Sequence, residues 1–375
     1  MTARTVGARH RSGGDGLGST GMTSAADAPS DSERRNVSDA AGVVVLGACA
    51  TWSLITAATH DGRPEGMLLA VLAVAAGYAA GRICGALLPV AAPCTAALAG
   101  FGLAVAAPHT LPGPQTAAPP GHLGAVAALL VLTTGAVCCA AWAARPPLLR
   151  LALHALAGGI TVASAVLCPV AGFVLCAVVL LCSLAADHMP RRGVGLAGLA
   201  LTAALVTGTV WAAAEDVLPG GLSDSMEGQL GEHRLQLWRD ALTLAHRDPA
   251  LGAGPGRFAE LGETASRSLP AEARPHSAPL QQAAEQGVVG AALLAAVFCW
   301  VLYTLWRTPR PTSVALTAGA ALTALAALAA VGNVLSFTTV TVGAGLLAGL
   351  ATARPLGYET PDPAPTRARE QREHR

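Results

Sequence analysis

The sequence predicts an all-α, polytopic integral membrane protein of about ten transmembrane helices with one large extracytoplasmic loop. Three observations carry that expectation. Of the 375 residues, 53% are hydrophobic and only 13% charged, with a mean hydropathy of +0.50, which is too apolar for a water-soluble domain of this length. From Ala40 onward, apolar stretches of roughly 18 to 23 residues, the length a bilayer-crossing helix needs, alternate with short polar breaks. One connection of about 69 residues, Glu215 to Ala283, interrupts that rhythm.

Residues 1–39 are polar and rich in Ser, Gly and Asp, a composition expected to leave a disordered cytoplasmic tail. The tail is too acidic for the leader of a secretory signal, so the first apolar run is expected to stay as an anchor. Seven spans follow within residues 40–214: Ala40 to Thr59, Gly66 to Cys84, Leu87 to Ala107, His122 to Ala144, Leu148 to Val166, Pro169 to Ala186 and Val194 to Ala214. The second and third part at Gly85 and Ala86, the fifth and sixth at a Cys168-Pro169 hinge. After the loop of residues 215–283 come Ala284 to Trp306, Thr312 to Val331 and Val334 to Thr352, filling residues 284–352. Residues 353–375 read as a second disordered cytoplasmic tail.

Arginine sets the expected orientation, because cytoplasmic loops keep positive charge during insertion. With the N-terminus inside, Arg145, Arg150, Arg191, Arg192, Arg307, Arg310 and the C-terminal arginines all fall on the cytoplasmic side. The opposite face holds Arg63 in one turn and no basic residue in the Pro-rich stretch from Pro108 to Gly121. Trp142 and Trp306 then lie at inner ends and Trp211 at an outer end, as interfacial aromatics should. Both termini are expected in the cytoplasm. A formal net charge of +1 provides no basic field to recruit nucleic acid. All 24 basic side chains are Arg, a bias that with the excess of Ala and Gly points to a GC-rich bacterial genome and codon pressure rather than to function. The nine cysteines lie in apolar runs, none in a CxxC pair beside a histidine, and read as small packing hydrophobes rather than disulfides or metal ligands.

The spans themselves promise little chemistry. They carry no mid-helix acid, and Arg82 and His154 lie near inner ends, where snorkelling or a local hydrogen bond accounts for them. An ion-coupled transporter needs buried acids and broken helices at matching positions, neither of which is expected here. The membrane region reads as a scaffold around a site supplied by the loop.

Within the loop, the segment from Ser225 to Arg247 spaces Leu235, Trp238, Leu242 and Ala245 three and four apart, which makes one apolar stripe on a helix resting on the membrane or the bundle mouth. Arg234 stands one turn before Trp238, near the headgroup level or paired with Glu227 or Glu232. Asp248 to Phe258, DPALGAGPGRF, follows: Pro249 stops the helix, and Gly252, Gly254 and Gly256 let amides converge on an anion as a nest would. The Lys-Ser/Thr of a P-loop is missing. Next, Ser277 is placed to cap the helix that becomes the following span, with Pro279 in its first turn. His276 therefore precedes a helix N-terminus, where the dipole favours neutral imidazole, a form that can act as a base. Glu285 is a further titratable group two turns on. The loop is formally four negative, with six arginines against ten acids, so any anion site in it must be local.

Taken in order, EHRLQLWRDAL, then DPALGAGPGRF, then a histidine, then LQQAAEQGVVGAALL opening a new span, resemble the signature of the O-antigen ligase and polymerase family. That resemblance covers roughly Glu232 to Leu294, with three spans after the loop as in the family. It implies an enzyme that transfers a glycan from an undecaprenyl-diphosphate carrier to an acceptor hydroxyl, with no nucleotide sugar, no cofactor and no required metal. By position, Arg234 matches the arginine that grips the diphosphate, Arg257 or Arg274 supplies a second cation, and His276 matches the histidine that activates the acceptor. Guanidinium forks suit phosphate oxygens, and a diphosphate leaving group needs its developing charge stabilised. Trp238, Gly252, Gly254, Gly256 and Glu285 are expected to support the site. The family shows His-Asn where this chain has His276-Ser277. Implied partners are the lipid-linked donor, a glycan, glycolipid or glycoprotein acceptor, and membrane lipid. A non-catalytic protein that binds or organises envelope polysaccharide, or an exporter of the lipid-linked glycan, is the alternative.

Overall fold

The computed structural model describes residues 31–106, 122–189, 191–217, 221, 231–267 and 273–354, with side chains from Ser38 in the first stretch and Leu123 in the second. The expectations for residues 1–30, the Pro-rich stretch, Glu227 and the C-terminal tail lie outside them. Among the described residues there is no strand. Seven helices precede the loop: α1 Asp31–His60, α2 Glu65–Leu87, α3 Ala91–Ala106, α4 His122–Ala143, α5 Pro147–Leu167, α6 Val170–Ala185 and α7 Arg192–Ala214. Among the described residues of the loop lie α8 Glu232–Arg247 and the short helices α9 Phe258–Leu261 and α10 Glu263–Arg267. Then come α11 Ala278–Arg307, α12 Thr312–Val331 and α13 Thr338–Thr352. Among the described residues, eight helices are long and apolar enough to cross a membrane by length and composition; α3 and α13 are shorter apolar helices and bring the set to ten.

Boundaries shift where local chemistry is stronger than hydropathy. α1 begins at Asp31, inside the segment expected to be a disordered tail. α2 runs on to Leu87, and the break falls at Leu88–Val90, where Pro89 cannot donate to a continuing helix. The Cys168-Pro169 hinge does separate α5 from α6. α13 starts at Thr338 rather than Val334, because Val334–Ser336 form a 3-10 turn.

Helices α4 and α12 are almost wholly enclosed and form the centre of the bundle, their Ala, Leu and Val side chains packing with Leu305, Cys176, Val179 and Leu347. Around them, large apolar residues point outward: Val166 is 88% exposed and Leu148 80%. Such an inside-out distribution suits hydrocarbon, where helices associate through close packing rather than burial from water. The closest seam is α2 against α13. Gly77, Gly81 and Gly85 on one helix face Gly345 and Gly349 on the other, and a methyl group at Gly77, Gly81, Gly345 or Gly349 would collide with the partner's backbone. This is the small-xxx-small geometry of membrane helix pairs.

Two ends of the bundle differ in chemistry. At one, Arg310 is buried and donates to Ala353 O (2.7 Å) and Gly85 O (2.9 Å), tying the C-termini of α13 and α2 together. Arg192 donates to Thr308 O and Arg310 O. Arg82 holds Asp39 bidentately at 3.1 and 3.3 Å, a local pairing, and His154 Nδ1 lies 2.9 Å from Arg150 O. All nine cysteines are free. The opposite end carries the loop.

Candidate active site at a broken helix

Helix α8 forms because its sequence alternates apolar pairs with charged residues and stops where Pro249 removes an amide. Its expected stripe of Leu235, Trp238, Leu242 and Ala245 is buried, and Leu237, Ala241 and Leu244 are buried beside it. The stripe rests on protein rather than lipid: it packs with Val210 and Ala213 of α7, Ala265 of α10, Phe258, and Leu280 and Ala284 of α11. Trp238 is fully enclosed, and its indole Nε1 donates to Pro275 O at 2.7 Å. One turn earlier on α8, Arg234 is half-buried, and its Nη1 donates to Val331 O at 3.4 Å, at the C-terminus of α12. Glu232 instead accepts from Gln236 Nε2. Burial lowers the Arg234 pKa from its ordinary value through desolvation of the guanidinium. Arg234 is thereby held at the helix end, and Trp238 ties the same helix to the residue preceding His276.

The turn that bears His276 is tight. Ala273 and Pro275 are buried, Arg274 is exposed, and His276 is 9% exposed with φ of 48°, in the left-handed region uncommon for a side-chain-bearing residue. Ser277 is the N-cap residue of α11, but the expected cap bond is not formed: its side chain makes no cap hydrogen bond, and its Oγ is buried without a partner.

Downstream, α11 departs from the expectation of an unbroken span. Gly287 has φ 69° and ψ −169°, which breaks the helix, and Glu285, two residues before the break, is buried. A break frees carbonyls that a membrane helix cannot leave unpaired. Here Ala284 O accepts from Ala253 N (2.8 Å), Glu285 O from Gly254 N (2.9 Å) and Gln286 O from the Trp52 indole (3.0 Å). In return, Val288 N donates to Pro249 O at 2.9 Å. The segment 248–257 thus docks into the gap in the helix.

That docking explains the glycines and corrects the nest expectation. Gly252, Gly254 and Gly256 have φ of 69°, 95° and 76°, which favours glycine. A Cβ at Gly252 would lie 2.6 Å from Gln286 N, and one at Gly287 would collide with Ala250 O. Their amides are occupied: Gly252 N by Asp248 O (2.9 Å), Gly254 N by Glu285 O, and Gly256 N by Glu285 Oε2 (3.0 Å). The anion the glycine segment grips is therefore the chain's own Glu285 carboxylate. Its Oε1 accepts from Gln281 Nε2 at 3.2 Å, and Arg274 interacts with it electrostatically.

Of the three candidate cations, Arg234 lies on α8 against the end of α12, Arg274 precedes α11 and interacts electrostatically with Glu285, and Arg257 faces the α1–α2 turn. Arg257 Nη1 donates to His60 O at 2.7 Å and its Nε lies 3.8 Å from Glu260, which joins the glycine segment to the α1–α2 turn. Arg63 N donates to Pro255 O (2.8 Å), and His60 Nε2 lies 3.8 Å from Asp248. Trp52, His60, Gln281 and Gly287 were not singled out by sequence. Of these, only the polar Gln281-Gln282 and Glu285-Gln286-Gly287 run at the head of an apolar span carried a signal. No cluster of three or more His, Cys, Asp or Glu residues able to hold a metal occurs among the described residues.

No curated protein and no solved structure matches the chain. The sequence model of the O-antigen ligase family matches residues 123–295, from the start of α4 through the loop to the helix just beyond the Gly287 break. The match takes in Arg234, Trp238, the glycine segment, His276 and Glu285, and reaches more than a hundred residues further towards the N-terminus than the loop signature alone. The chain is thus a polytopic helical membrane protein of which residues 123–295 are similar to the O-antigen ligase family.

Proposed function

We propose that this protein transfers a glycan from an undecaprenyl-diphosphate carrier to an acceptor hydroxyl on the extracytoplasmic face of the bacterial inner membrane, with both termini in the cytoplasm. The observation that carries the reading is the corner where α8 meets the head of α11. There an O-antigen ligase domain holds Arg234 and the His276 turn on elements joined by the Trp238–Pro275 hydrogen bond. The acceptor oxygen attacks the anomeric carbon, the bond from that carbon to the diphosphate oxygen breaks, and the acceptor proton passes to the neutral imidazole of His276. Arg234 and Arg274 stabilise the charge gathering on the departing diphosphate. Arg257 holds the glycine segment on the α1–α2 turn rather than contacting phosphate, as its bond to His60 O supports. No step needs a nucleotide sugar or a metal. The arginine-rich end, with Arg192 and Arg310 capping helix termini, supports its placement in the cytoplasm.

The test is complementation in the native host, comparing deletion, wild type, Arg234→Ala and His276→Ala at matched protein levels. Carrier-linked glycan is expected to accumulate in the deletion and in both variants. Normal polymer with His276→Ala would remove the catalytic role of that histidine and leave a protein that binds or organises envelope polysaccharide.

A further inference from the structure

We infer that the Ser277 hydroxyl and the N-terminal turn of α11 form an anion subsite that takes a non-bridging phosphate oxygen of the donor's diphosphate. The inference rests on the reading of the site given above and adds a residue to it.

Two independent observations meet at this point. The first is the helix. From Ala278 to Gln286, α11 runs nine residues before the Gly287 break, so the first-turn amides of Ala278 and Leu280 have no intrahelical carbonyl, Pro279 has no amide to offer, and the positive dipole end faces the His276 turn. Such an end favours an anion. The second is the residue that should satisfy those amides and does not. Ser277 stands at the N-cap with extended backbone (φ −149°, ψ 113°), yet forms no cap hydrogen bond. The residue is 1% exposed, and its Oγ has less than 1 Å² of accessible area and no partner. A hydroxyl sealed from water and left unbonded destabilises the fold, and buried polar groups in proteins are overwhelmingly paired. At this corner the helix end and the capping hydroxyl both offer donors, and the missing partner is an acceptor.

Charge selects the kind of acceptor. Arg274 is exposed three residues before Ser277, and Arg234 belongs to the helix that Trp238 ties to this turn. The nearest described acid on α11, Glu285, is already occupied by Gly256 N and Gln281 Nε2. Ala278 and Pro279 are only half-buried, so the turn lies at the surface of the cap rather than deep within it. Donors on a helix end, a free hydroxyl and flanking guanidinium groups fit a phosphate oxygen better than a neutral sugar hydroxyl, which would leave the dipole uncompensated.

The experiment uses the full-length protein in detergent with EDTA, inorganic pyrophosphate as probe, and sulfate as a control for non-specific anion binding. Pyrophosphate is read both as protection against thermal unfolding and as inhibition of transfer. Ser277→Ala is expected to weaken pyrophosphate at least ten-fold, as loss of a hydrogen bond to a charged group should. Its unfolding temperature without ligand should be unchanged or higher, because an unpaired hydroxyl has been removed. Ser277→Gly should weaken pyrophosphate similarly. Affinity within two-fold of wild type overturns the subsite. So does weakened affinity with a clearly lower unfolding temperature in both variants, which would make the hydroxyl structural. If Arg234→Ala loses pyrophosphate while Ser277→Ala keeps it, the subsite falls and the proposed function stands. If the wild type transfers no carrier-linked glycan, yet pyrophosphate protection depends on Ser277, the function falls and the subsite stands.

Discussion

Gly287→Ala is the perturbation that best tests the site's architecture, because an ordinary helix and this one give opposite signs. Within a regular helix, replacing Gly by Ala stabilises by about 0.5–1 kcal/mol. At Gly287 the backbone has φ 69° and ψ −169°, a region open essentially to glycine alone, and an added Cβ would collide with Ala250 O. Forcing the position back towards helix would detach four hydrogen bonds: those from Ala253 N, Gly254 N and the Trp52 indole to the freed carbonyls, and that from Val288 N to Pro249 O. At roughly 0.5–1.5 kcal/mol net each, they amount to about 2–6 kcal/mol, partly offset by restored helix bonds and helix propensity. The expected net loss is about 2–4 kcal/mol. Gly159→Ala in α5 is the control, since a Cβ there meets nothing within 4 Å. Thermal unfolding followed by tryptophan fluorescence at matched detergent should show Gly287→Ala well below wild type and Gly159→Ala at or above it. Equal or raised stability of Gly287→Ala would refute the docking of the glycine segment into the helix break.

Three further predictions follow from the same contacts. Trp238→Phe removes the donor to the buried Pro275 O and should cost about 1–3 kcal/mol, with a fall in glycan transfer exceeding the loss of folded protein; unchanged transfer would detach Trp238 from the His276 turn. Glu285→Ala should loosen the segment 248–257, read as faster limited proteolysis there, with Glu285→Gln intermediate because its amide oxygen can still accept from Gly256 N. Gly81→Leu should wedge α2 from α13 and lower the yield of folded protein far more than Gly47→Leu, where a Cβ meets nothing within 4 Å.

Much of the fold was legible because hydropathy and proline report locally. The ten apolar segments, the Cys168-Pro169 hinge and the stop at Pro249 are written in a few adjacent residues each. The amphipathic stripe of α8 was equally visible, since Leu235, Trp238, Leu242 and Ala245 are separated by helical turns. What stayed hidden depends on residues far apart in the chain. Nothing around Trp52 announces that its indole serves a carbonyl 234 residues later. The three loop glycines pointed to bound anion because positive φ usually frees amides, whereas here Asp248 O, the freed Glu285 O and the Glu285 carboxylate are the acceptors. Ser277 has the right type and position for a cap, and only the observed geometry shows the hydroxyl unused. The glycines of α2 and α13 carry a small-xxx-small spacing that sequence alone could have exposed, though not the identity of the partner helix.

The joint at Gly287 also constrains the order in which the molecule can be assembled. Its three freed carbonyls draw on α1 and on the segment before α11, so the bent form is paired only when the first and eleventh helices and the glycine segment are together. Any nascent or partly unfolded chain lacking one of them must either straighten α11 or leave peptide groups unpaired beside lipid, which costs several kcal/mol each. The kink is therefore a property of the finished tertiary structure rather than of the helix. The corner bearing His276 acquires its shape only when the start of the chain and its final third have met, which couples the completion of folding to the completion of the site.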